Sequence, residues 1–124
     1  WASHGIEHEL SGIYDIAHGA GLAIVFPAWM KYVWNAHPAR FVQFGERVFG
    51  IAAEGKAKEE ICEEAVAELE NFFHGIGLPT RLRDAGIGRE NFDVMAKKAC
   101  RNGKLGSFMP LAAEDVKAIY ELAY

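Results

Sequence analysis

Twelve consecutive residues without a charge, Gly19 to Met30, precede Lys31. In a helix drawn from about Ile16 to Trp34, the side chains of Leu22, Ile24, Val25, Phe26, Trp29, Met30, Val33 and Trp34 cover nearly every side. The run is too short to cross a bilayer, which takes roughly 20 apolar residues. A helix that is apolar all round but too short for a membrane belongs at the centre of a domain, with other elements packed around it. The rest of the chain can supply that shell. It has 124 residues, of which 51% are hydrophobic and 24% charged, the balance of one globular domain. Gly19 and Gly21 weaken the start of this helix but let another backbone come close, and Pro27 inside it predicts a kink.

The remaining elements also read as helices. No stretch sustains a two-residue alternation, so no strand is expected. A first helix covers about Ala2 to Tyr14 and carries His4 and His8 on one face. Asp15 is the expected N-cap of the central helix. Pro38 opens a third helix with Phe41, Phe44, Val48 and Phe49 inward, and Gly50 closes it. A fourth, about Lys56 to His74, has an apolar stripe of Ile61, Ala65, Leu69, Phe72 and Phe73, with glutamates 59, 60, 63, 64, 68 and 70 toward water. A fifth spans about Arg89 to Arg101 around Phe92, Met95, Ala96 and Ala99. A sixth, about Ala112 to Tyr124, places Val116, Ile119, Tyr120 and Ala123 on one face. The expected fold is a compact all-α domain over residues 1–124.

Charge and cysteine usage narrow the function. Thirteen basic against seventeen acidic residues give a net charge of −4, which disfavours nucleic acid and anionic membranes as partners. Cys62 and Cys100 stand alone, which suggests a reducing compartment and neither disulfides nor a zinc knuckle. No signal peptide is visible, so a cytoplasmic location is expected. The opening at Trp1, with histidines following at once, reads as a segment of something longer.

The chemistry concentrates in His4, His8 and His18. Neutral imidazole is a common ligand for zinc and iron-type metals. His4 and His8 lie four residues apart, on one helical face, so spacing favours them as a pair. On one unbroken helix His18 would stand about 21 Å from His4. Those two could share a metal only if the chain folds back between them, and Gly12 or the Tyr14–Asp15 junction offers the break. Glu7 and Glu9 are expected to be solvent-facing carboxylates. His37 is expected in a loop or at a cap, and His74 at a helix C-terminus, where a cation suits the dipole. Phe26, Trp29, Trp34, Phe41 and Phe44 read as core. No phosphate-binding glycine loop or nucleophile motif occurs.

The run from His8 through His18 to Met30, HELSGIYDIAHGAGLAIVFPAWM, resembles the iron-containing (group III) alcohol dehydrogenases, most of all their butanol dehydrogenase branch. Glu46–Gly50, Asn71–Leu82 and Glu114–Tyr120 continue the likeness, which extends over essentially the whole chain. The resemblance implies the C-terminal helical domain of a two-domain enzyme. In such enzymes a separate N-terminal domain binds NADH or NADPH, and two further metal ligands and a glycine-rich loop lie upstream. It implies a divalent metal, Fe2+ or Zn2+, held by His4 and His18. It implies His8 as a catalytic group in proton transfer, and a small alcohol or aldehyde as substrate. A fold-back between His4 and His18 then becomes a requirement. The segment alone is expected to be inactive. Its face toward the other domain is expected to be apolar and to promote homo-oligomers. The alternatives from the residues alone are a helical module that binds metal weakly through His4 and His8, or a purely structural or interaction domain.

Overall fold

The structure, a computed structural model, describes all 124 residues. Six helices follow one another: α1 Ala2–Tyr14, α2 His18–Val33, α3 Pro38–Phe49, α4 Lys58–Gly75, α5 Phe92–Ala99 and α6 Ala113–Ala123. Single 3-10 turns stand at Trp34–Ala36 and Arg83–Ala85. The only ladder-type pairing is one isolated antiparallel bridge between Leu105 and Leu111. The all-α expectation holds. No helix is long and apolar enough to cross a membrane.

α2 is the hub, as its apolar circumference requires. It packs against α1, α4 and α6, while α3 lies on α4 and α5 bridges α1 and α6. Ile24, Val25 and Val33 of α2 are completely buried. Ile6 and Leu10 of α1, Met95 of α5, and Val116, Ile119 and Tyr120 of α6 are buried to the same degree. Each such aliphatic side chain removed from water contributes about 1.5–3 kcal/mol. One polar contact crosses this core: Tyr120 Oη donates to the Ile6 carbonyl at 2.7 Å. The pairing removes the cost of burying a phenol among apolar groups.

The α5–α6 connection is drawn onto the start of α1. Leu105 and Leu111 exchange backbone bonds of 2.8 and 2.9 Å. Gly106, at φ 85°, lies so close to Ala2 that an added Cβ would stand 2.7 Å from the Ala2 Cβ. The connection thereby sets Phe108 beside Trp29 and His37, with ring centroids 5.4 and 4.6 Å away.

Several expectations are corrected. Asp15 does not cap α2; it ends α1, in the left-handed region at φ 52°, and its N–H bonds to the Ser11 carbonyl. α2 begins two residues later than expected, at His18, with Ala17 before it and no side-chain cap. It ends at Val33 and runs through Pro27 without interruption. α4 begins at Lys58, and α5 is shortened to Phe92–Ala99. Val48 and Phe72, expected inside, are 61% and 57% exposed. Phe26 is also exposed, because the face of α2 that carries it extends beyond the shell of neighbouring helices. Glu70 does not simply face water: it holds Lys31 at 2.6 Å across α2 and α4.

Candidate metal centre

The chain reverses at Asp15–Ala17, and this turn decides where the histidines go. A left-handed residue costs a non-glycine side chain some strain, least for Asp and Asn. The turn is anchored from both sides. Tyr14 Oη accepts a hydrogen bond from Asn91 Nδ2 at 2.9 Å. Ser11 Oγ lies 3.0 Å from the Ile16 carbonyl. The fold-back sets His18, the first residue of α2, against α1 rather than along its extension.

The three histidines consequently gather. The His18 ring lies 5.5 Å, centroid to centroid, from that of His4 and 5.4 Å from that of His8. The two competing pairings of the sequence are thus geometrically compatible: the i,i+4 pair on α1 and the residue across the turn share one neighbourhood. His4 is half-buried and packs edge-on against Trp1, with centroids 4.9 Å apart. His8 and His18 are exposed.

The expectation for Glu7 is wrong. It is completely buried, because it shares the inward stripe of α1 with Ser3, Ile6 and Leu10. Its Oε2 accepts from His18 Nδ1, and its Oε1 accepts from Ser11 Oγ. The signal was present in the spacing: positions 3, 6, 7 and 10 follow the i, i+3, i+4, i+7 rule of an inner face. Reading Glu7 by its residue type alone hid it. Glu9 is not free in solvent either, since it pairs with Arg101 Nη1 at 2.9 Å and ties α1 to the end of α5.

Glu7, His8 and His18 each offer a ligating atom within 4.8 Å of the others. Imidazole donors suit Fe2+ and Zn2+. With its Nδ1 bonded to Glu7, His18 keeps Nε2 as its free donor atom. Glu7 is taken up behind His18, so the imidazoles of His4, His8 and His18, whose rings gather at the turn, are the donors that suit a divalent metal. Beside His4 a cleft of about 340 Å³ is lined by Trp1, Phe26, Trp29 and Phe108, an apolar surface next to the polar cluster.

The other two histidines lie elsewhere. His37 Nε2 bonds to the Phe108 carbonyl at 3.1 Å, and His74 Nε2 meets Thr80 Oγ1 at 2.7 Å. Both serve loop packing.

Comparison with known proteins agrees with this architecture. The C-terminal profile of the Fe-containing alcohol dehydrogenase family matches residues 1–124. The NADH-dependent butanol dehydrogenase A of Clostridium acetobutylicum is 44% identical over the whole chain, which spans 32% of that relative. The NADPH-dependent aldehyde reductase YqhD of Escherichia coli is 34% identical over 99% of the chain, again 32% of the relative. Among solved structures, the NADH-dependent butanol dehydrogenase A of Thermotoga maritima superposes with a TM-score of 0.90 at 44% identity, over 99% of this chain and 32% of that one. The chain thus spans about a third of the length of these relatives. It belongs to the Fe-containing alcohol dehydrogenase family and corresponds to its all-helical C-terminal domain.

Proposed function

We propose that this chain is the metal-binding part of an NAD(P)-dependent alcohol dehydrogenase or aldehyde reductase of the butanol dehydrogenase type. The observation that carries the reading is the turn at Asp15–Ala17, which gathers His4, His8 and His18 into one cluster. A preceding nucleotide-binding domain supplies the nicotinamide pocket and the other metal ligands. The NADH- and NADPH-dependent activities by which these relatives are named, with this chain spanning about a third of their length, support that division. His4 and His18 hold the cation. A divalent cation supplies Lewis acidity toward an alcohol or carbonyl oxygen, and the nicotinamide supplies the hydride chemistry.

The chain's own residues do the rest. His8 is exposed beside His18, where an imidazole can pass the alcohol proton to solvent. The aromatic cleft beside His4 receives the carbon chain of a small alcohol or aldehyde and keeps water from that side. Because His18 opens the buried helix α2, its position is fixed by the core rather than by a loop.

The test uses the full-length protein. Chelator treatment should abolish NADH- or NADPH-dependent reduction of butanal, and Fe2+ or Zn2+ should restore it. Full activity after verified metal removal would refute the reading.

A further inference from the structure

Resting on the metal-centre reading, we propose that Glu7 is a positioning residue that fixes the tautomer and orientation of His18, and that Gly21 exists as glycine to make room for it.

The first observation is the burial of a carboxylate without a cation. Glu7 has no exposed surface, and its partners are the imidazole of His18 and the hydroxyl of Ser11, with no lysine or arginine among them. Taking a carboxylate out of water is costly unless positive charge compensates. A divalent cation on His18 brings that charge through the ring. The first turn of α2, against which the carboxylate lies, adds the favourable end of a helix dipole.

The second observation is the use of both oxygens. Ser11 occupies Oε1 and His18 Nδ1 occupies Oε2, so Glu7 is engaged as an acceptor and is not free to act as a ligand. A carboxylate can only accept, so in the neutral ring the proton resides on Nδ1 and Nε2 carries the open lone pair. This is the arrangement in which a carboxylate behind a histidine orients it and raises its basicity as a ligand.

The third observation is the clearance. A Cβ built on Gly21 would lie 2.7 Å from Glu7 Cγ, a separation that real side chains do not adopt. Helix α2 and Glu7 fit together only because position 21 has no side chain. The close approach read from the glycines in the sequence is thus that of a carboxylate and not of a backbone. Gly19, with nothing near its missing Cβ, plays no such part.

The experiment compares the full-length protein with Glu7→Gln and Glu7→Leu, each freed of metal and titrated with cobalt(II), whose visible absorption reports its ligand field. Nitrogen NMR of the metal-free proteins reports the His18 tautomer. Glu7→Leu should bind cobalt about 10–100-fold more weakly, with the ring proton no longer held on Nδ1. Glu7→Gln keeps an acceptor but no charge, so its affinity should fall between the two and its tautomer should match the parent. A Glu7→Leu protein with parental affinity and tautomer would overturn the proposal. Should Glu7→Leu fail to fold, Glu7→Gln decides: weakened binding with unchanged circular dichroism supports the proposal, and parental affinity overturns it. A parent that binds no cobalt would overturn the metal-centre reading itself. The two failures are therefore distinguishable.

Discussion

Glu7 on α1 and His18 on α2 are eleven residues apart in sequence and share a hydrogen bond across a three-residue turn. This contact joins the buried side of α1 to the exposed histidine cluster. It makes the position of His18 a property of the core.

Two glycines two residues apart in α2, Gly19 and Gly21, should behave oppositely. Gly21→Ala forces Glu7 away from its present place, so it should lower metal affinity although it alters no ligand. Gly19→Ala meets nothing within 4 Å and lies inside a helix, so it should stabilise the fold by about 0.4–1 kcal/mol. Thermal melts and metal titrations of the full-length variants check both.

The role proposed for His8 is proton transfer rather than metal retention. His8→Ala in the full-length enzyme should keep its metal and lose about 10²–10⁴-fold in kcat, the usual contribution of a positioned acid–base group. Elemental analysis beside steady-state kinetics separates the two effects. Loss of metal together with activity would move His8 into the ligand set.

Tyr120 tests the polar contact across the core. Tyr120→Phe removes the donor from the Ile6 carbonyl without leaving a large void, so the cost is that of one buried hydrogen bond. A loss of about 0.5–1.5 kcal/mol in chemical denaturation is expected.

Tyr32 gives the fold an alkaline limit. Its hydroxyl donates to Asp115 Oδ1 at 2.5 Å, and this bond, with burial and the negative charge of Asp115, pushes its pKa from 10.0 up to about 12. The folded state thus retains a proton that the unfolded chain loses first. The contribution of this group is full below pH 10 and is lost as pH rises toward 12. Asp115 Oδ2 also accepts from the Ala112 N–H at 2.8 Å, so the same carboxylate holds the start of α6. Melting temperatures between pH 9 and 12 should fall less steeply in Tyr32→Phe than in the parent.

The helices were legible because periodicity records burial. Val116, Ile119, Tyr120 and Ala123 form one stripe in sequence and one buried face in the structure. The hub role of α2 followed from its apolar circumference. Phe72 and Val48 were misplaced because an apolar residue at the edge of a stripe is buried only if a neighbouring helix reaches that far. The turn was legible as a need and not as a place. Asp15 offered a good N-cap, but left-handed backbone at the end of α1 took precedence. The burial of Glu7 is legible in the spacing of Ser3, Ile6, Glu7 and Leu10, but its partner lies across a tertiary contact, and no local pattern announces the histidine eleven residues away.

The most direct test of the account is the metal content of full-length parent and His18→Ala proteins, measured by elemental analysis after purification under identical conditions. The account predicts a metal-containing parent and a His18→Ala protein that has lost its metal and its alcohol dehydrogenase activity while keeping its helical circular dichroism. A His18→Ala protein that is fully metallated and active would contradict it.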